Sequence, residues 1–365
     1  MRKFFLPLIL ILFILCNPKF ARAQAEVILR GRNGVYTINV CSDFYGRNYI
    51  KNEKKVVEDI LKKEKVLPKN PKLLLENFTD IKIEAGENGW EVDRRSLIRD
   101  LKSAVDLSGG VITLKYNDIL PKYENKDIEK CSYLRGTFRT EYAFNSDRVQ
   151  NIMLATSSIN GYMLDAGETF SFNKVVGKRT ESRGYKIAKI IVSGEFVEGV
   201  GGGVCQASTT LYNSALISGL EIIEAHRHSL LVNYIEPSFD AMVNSESCDL
   251  KFKNTTNMPV FLFGKVDSRG VTFKVFGERK NYDIVRESVV LTEIIPKTNT
   301  VINSELELGE TKVLITPKKG YKSEGYIKKV INGEVVNRTL IRKDSYLAVD
   351  GVTEIGDGEV KKENE

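Results

Sequence analysis

The sequence predicts an α+β chain in three parts: two mixed α+β segments and a small all-β segment at the end. Three observations predict it. Runs with apolar residues at helical spacing interleave with alternating runs as far as about residue 266. Beyond about residue 282 only alternation remains, punctuated by Gly309, Gly320, Gly325 and Gly333. The length of 365 residues exceeds one ordinary core, and a hydrophobic fraction of 42% supports globular folding.

The chain starts with the basic Met1-Arg2-Lys3, followed by an apolar run from Phe4 to Cys16. That run is short for a membrane span of about 20 residues. Ala21-Arg22-Ala23 then offers a small-x-small cleavage pattern, so residues 1–23 read as a secretory signal peptide. Leu15 before Cys16 is bulky where a lipid-attachment site wants a small residue. The expectation is a secreted, extracytoplasmic protein with no stable membrane anchor after cleavage.

In the first segment, residues 26–129, Val27 to Val40 reads as a hairpin turning at Gly31-Arg32-Asn33-Gly34. Lys54 to Lys65 is amphipathic, and Pro68 and Pro71 break it. Asp80 to Ala85 alternates like a strand. Asp93 caps a helix from Arg94 to Val105, and Val111 to Tyr116 alternates again. The segment has no histidine, which makes binding or spacing its default role. Residues 123–127 read as a polar linker.

In the second segment, residues 130–266, Asn145-Ser146-Asp147 starts a helix running from Arg148 to Ile159. Ile187 to Val197 reads as a strand. The loop Gly199–Gly203 leads into a helix from about Gln206 to Ser218, stopped by Gly219. Ile222 to Ile235 reads as a strand and Asp249 to Phe263 as a hairpin. The third segment, residues 282–357, offers strands at Ser288–Ile295, Lys312–Pro317, Gly325–Ile331 and Val335–Arg342. A charged tail follows from Lys361 to Glu365.

A formal charge of +6 with interleaved signs leaves no basic stripe for nucleic acid. The chemistry concentrates around Cys205. Glycines before it let the backbone turn sharply, and a helix N-terminus lowers a thiol pKa. Amides of Gly203, Val204, Cys205 and Gln206 are candidates to hold an oxyanion, and Ser208 and Thr209 to contact substrate. Ser208 and Thr209 also read as first-turn residues bonding the backbone. The only two histidines, His226 and His228, share one face of the expected strand, and either could serve as base. Asp240 or Asp249 would orient the imidazole, and Glu224 shares the histidines' face. Three other readings stand beside this one: an inert core thiol, a Cys205–Cys248 bridge, and a zinc site of Cys205, His226 and His228. The lack of a CxxC or HxxxH partner argues against zinc. No metal and no cofactor is expected.

Five motifs then align with a known family. They are Gly167-Glu168-Thr169-Phe170-Ser171-Phe172-Asn173, Gly201-Gly202-Gly203-Val204-Cys205-Gln206 with Ser208-Thr209-Thr210-Leu211-Tyr212-Asn213, His226-Arg227-His228-Ser229, Asp240-Ala241, and Asp249-Leu250 with Phe252 and Asn254. In order and spacing they resemble the VanW domain. The first segment resembles the peptidoglycan-binding module that often precedes VanW domains. The third, with Leu308-Gly309-Glu310-Thr311 and Asn332-Gly333-Glu334-Val335-Val336, resembles a G5 domain. The resemblance implies a cell-wall setting and, by analogy with some clostridial members, a cysteine L,D-transpeptidase. Its partners would be peptidoglycan stem peptides, a donor tetrapeptide and an acceptor stem. Ala225 stands where the resemblance leads one to expect arginine, which bears on specificity. A water-resolved carboxypeptidase or endopeptidase, and a non-catalytic wall-binding protein, remain alternatives.

Overall fold

The computed structural model describes residues 23–192 and 195–358. The expected leader, up to residue 22, and the tail from Lys361 lie outside the described residues. Among the described residues no helix is long and apolar enough to cross a membrane. The chain divides into two compact units. One holds the described residues up to Lys72 together with Ile83–Asn125; the other holds Leu73–Lys82 and everything from Lys126 onward.

The first unit is α+β. The strands Ala23–Arg30 and Val35–Ser42 form the expected hairpin, and Gly110–Thr113 adds to the first strand in parallel. The helices Glu53–Lys63 and Arg94–Asp106 bury Val57, Ile60, Leu97 and Leu101 in one core with Val27, Leu29 and Val40. Asp93 caps the second helix by accepting from the Arg95 and Ser96 amides, as expected. The expected polar linker is partly a short helix, Asn125–Glu129.

The second unit is built around the helix Val204–Ile217, buried on every side. It packs against the strand Tyr133–Glu141 and the helix Ser146–Ile159. A four-stranded antiparallel sheet runs in the order Tyr162–Leu164, Val260–Val266, Gly270–Gly277, Tyr133–Glu141. The strand Gly270–Gly277 lies past the border expected near residue 266. Its Val271, Phe273 and Val275 are core residues beside Leu211, Ala215 and Phe239.

Three expected elements differ. The single strand Ile187–Val197 is two antiparallel strands, Ile187–Val192 and Glu195–Val200. The hairpin Asp249–Phe263 does not form, because its halves join different sheets. Lys251–Lys253 pairs with Thr169–Ser171 and Glu221–Glu224, while Val260–Val266 pairs with Tyr162–Leu164. Asn254 is the reason: its amide donates to the carbonyls of Leu164 and Met258, and its Oδ1 accepts from Thr256, which makes a wide tethered loop. The strand expected from Ile222 to Ile235 stops at Glu224, with one isolated bridge at His226.

The last part of this unit is all-β. Asp283–Ile294, Gly320–Ile331 and Glu334–Tyr346 form one antiparallel sheet, and Thr298–Glu307, Gly351–Gly358 and Thr311–Ile315 form another. The strands Thr298–Glu307 and Gly351–Gly358 were absent from the sequence expectation. Ile327 and Ile341 of this part pack against the core of the preceding domain.

Candidate active site

Cys205 is the second residue of the buried helix, which starts at Val204, two residues before the expected Gln206. Gly203 occupies the cap position at φ +108°, a conformation side chains rarely adopt. A Cβ on Gly202 would lie 2.6 Å from the Ala188 backbone. The glycine loop is therefore tightly enclosed, and it delivers the thiol to the end of the helix dipole.

The helix also places the rest of the site. Ser208 Oγ donates to the carbonyl of Ala241, the Ala241 amide donates to Thr209 Oγ1 at 2.9 Å, and Asn213 donates to the Phe239 carbonyl at 2.8 Å. These three bonds fasten the segment Phe239–Ala241 to the helix, with Asp240 at its centre. Ser208 and Thr209 thus bond backbone rather than reach into the cleft. Gln206 borders the cleft but is itself buried, donating to Thr140 Oγ1 and the Glu141 carbonyl and accepting from Arg148.

Asp240 is fully buried. Its Oδ2 accepts from the His228 backbone amide (2.6 Å) and lies 2.7 Å from His228 Nδ1. A proton on Nδ1 satisfies that contact and leaves Nε2 for the thiol. Tyr346 donates to Asp240 Oδ1 at 2.6 Å, and Arg342 binds the Asp240 carbonyl.

The electrostatics are mutually consistent. Burial alone would raise the Cys205 thiol pKa, but the bond to His228 and the nearby Arg179 guanidinium bring it below the ordinary value. Burial alone would lower His228, but Asp240 and Cys205 push it up to about 9. Burial alone would raise Asp240, but His228 and Arg342 hold it low. All three shifts run in the sense of an ion pair, with a more acidic thiol facing a more basic imidazole backed by a carboxylate.

His226 belongs elsewhere. It bonds Glu224 at 2.9 Å and is partly exposed, because the chain leaves strand geometry and the two rings no longer share a face. Glu224 also pairs with Lys251, which with His226 lowers its pKa to about 2. Asp249 holds Ser171 and the Asn173 amide, not a histidine. The zinc grouping is therefore not assembled. Cys205 and Cys248 are both free thiols, so the Cys205–Cys248 bridge is not formed.

Two of the four candidate oxyanion amides have partners: Val204 N bonds the Gly201 carbonyl and Gln206 N the Gly203 carbonyl. The Cys205 amide donates to no acceptor among the described residues. The thiol opens onto a cleft of about 1060 Å³. Its charged lining is Arg148, Arg179, Lys189 and Lys318 against a single acid, Glu141. Sequence reasoning passed over Arg179, Arg342 and Tyr346. They come from distant parts of the chain, and no local pattern marks them.

The domain that carries the helix-borne thiol and the buried histidine–aspartate pair is VanW-like, and the all-β module after it matches a G5 domain. Residues 147–276 match the family described as VanW like protein, and residues 285–357 match the G5 domain. The chain is similar to "Uncharacterized protein YoaR" of Bacillus subtilis (strain 168), 40% identical over 150 residues, covering 40% of this chain and 50% of the relative. It is also similar to "Vancomycin B-type resistance protein VanW" of Enterococcus faecalis (strain ATCC 700802 / V583), 28% identical over 156 residues, covering 41% and 56%. The chain thus spans about half the length of the curated relatives it matches. Two solved G5 domains, HP0197-G5 and that of IgA1 protease, align over 21% and 23% of this chain and all of theirs. Their identities are 18% and 20%, with TM-scores of 0.14 and 0.16.

Proposed function

We propose that this protein is an extracytoplasmic cysteine acyltransferase of peptidoglycan, an L,D-transpeptidase that forms 3-3 cross-links. The observation that carries the reading is the Cys205–His228–Asp240 series at the head of a buried helix, opening onto a basic cleft. Three readings support the substrate class. They are the resemblance to clostridial VanW proteins, one relative's description as a vancomycin-resistance protein, and the suitability of a cationic cleft for carboxylate-bearing stem peptides.

The Cys205 thiolate attacks the carbonyl carbon of the third stem residue. The Cys205 amide donates to the resulting oxyanion. The C–N bond to the terminal D-alanine breaks, and the His228 imidazolium protonates the departing amine. A thioester remains. The side-chain amine of the third residue on an acceptor stem attacks it, His228 takes up that amine's proton, and the thiolate is regenerated. Asp240 keeps the imidazole oriented throughout.

The test is incubation with purified disaccharide-tetrapeptide, wild type beside Cys205→Ala, followed by mass spectrometry. The expected product is a dimer one D-alanine lighter than two donors plus the released amino acid, made by wild type alone. Loss of alanine without dimer would identify water as the acceptor. Dimer formation by Cys205→Ala would refute the assignment.

A further inference from the structure

We propose that Tyr346 and Arg342, both on the last long strand of the G5 domain, are positioning residues that hold Asp240 in its working orientation, so that the G5 domain completes the site. This rests on reading Cys205, His228 and Asp240 as the reacting group.

Tyr346 is fully buried. The Ser238 amide donates to its hydroxyl at 2.8 Å, and that hydroxyl lies 2.6 Å from Asp240 Oδ1. With its acceptor side engaged by an N–H, the single phenolic proton is directed at the carboxylate. Arg342 grips the same residue through its main-chain carbonyl and stands 3.5 Å from Oδ1. Since Oδ2 belongs to His228, the two oxygens divide between two domains, one facing the imidazole and one the G5 strand. The loop carrying His228 is tethered from the same side, with Leu347 N donating to the Ser229 carbonyl at 2.8 Å. Lys318, also of the G5 domain, lines the cleft. A module that only spaced the enzyme from the wall would not need a buried tyrosine and arginine aimed at this carboxylate.

The test uses full-length Tyr346→Phe, with Arg342→Lys as the second variant, each made in wild type and in Asp240→Asn. Two quantities are measured: steady-state turnover of disaccharide-tetrapeptide, and the rate of Cys205 alkylation by iodoacetamide, read by peptide mass spectrometry. The expected result in wild type is a kcat about 10- to 100-fold lower, as when an outer partner of a functional side chain is removed, with KM within about twofold. Cys205 alkylation slows as well. In Asp240→Asn neither variant changes either quantity further, because both act through that carboxylate. Unchanged kcat and alkylation in folded Tyr346→Phe and Arg342→Lys would overturn the proposal, as would an equal further loss in Asp240→Asn. Alkylation needs no peptidoglycan. If wild type turned over no muropeptide, the function would fail while the thiol rates still decided the role of the G5 strand.

Discussion

At Asp240 the carboxylate holds a histidine on one side and a tyrosine on the other, and the charge of the whole site depends on that arrangement. Cys205 is lowered by His228 and Arg179 against the effect of burial, and His228 is raised by Asp240 and Cys205, both in the sense that favours the reactive ion pair. Acid protonates the thiolate, and alkali removes the imidazolium proton as pH passes about 9. Turnover should therefore be bell-shaped with its alkaline limb near that value, checked by a pH profile of kcat/KM. His228 also has its folded pKa above its ordinary value of 6.5. Its contribution to stability is full below that value and is lost as pH rises through about 9. His228→Gln should lower turnover by about 10²- to 10⁴-fold, the usual worth of a general acid–base group. His226→Gln should leave turnover near wild type, because its ring faces Glu224 instead of the thiol. A large loss from His226→Gln would place the base in the wrong residue.

Among the elements, the glycine loop and the helix it caps were readable because their signal is local. Gly201-Gly202-Gly203 before Cys205 marks a turn, and Leu211, Ala215 and Gly219 mark a helix and its stop. The helix at Arg94 was readable for the same reason, its Asp93 cap. What escaped is non-local. Glu221–Glu224 ends early because His226 and His228 are fastened to Met242 and Asp240 rather than to a sheet neighbour. On the polar face of the central helix, where Ser208, Thr209 and Asn213 are buried, Ser208 and Thr209 read from sequence as substrate contacts or as first-turn residues bonding the backbone. The partners of that face are the carbonyls and amide of Phe239–Ala241, which only the fold brings near. Two stability losses follow, checked by chemical denaturation. Gly203→Ala should cost about 1–3 kcal/mol for a side chain forced into positive φ. Asn213→Ala should cost about 1–3 kcal/mol, since it leaves the Phe239 carbonyl without its buried donor.

At the scale of the molecule, the VanW-like and G5 domains fold as parts of one unit. Arg286 of the G5 domain inserts between Phe138 and Phe239, 4.3 and 4.6 Å from the ring centres, and bonds Asn213 and Glu236. Ser238 and Ser323 join hydroxyls across the same boundary. Calorimetry should accordingly show the two domains melting in a single transition, with Arg286→Ala lowering that transition as a whole. Separate transitions, only one of them moved by Arg286→Ala, would contradict this. The mixed α+β character and the all-β region toward the C-terminus were visible in the change of hydrophobic period along the chain. The dependence of the middle part on the last was not, because Arg342 and Tyr346 lie more than a hundred residues from Asp240.

The most direct measurement of the central claim is intact-protein mass spectrometry of the enzyme quenched in acid during turnover of disaccharide-tetrapeptide, followed by mapping of the adduct. The account predicts a thioester-linked donor lacking its terminal alanine, on the peptide that contains Cys205 and absent from Cys205→Ala. Cross-linking without such an adduct, or with the adduct on another residue, would contradict it.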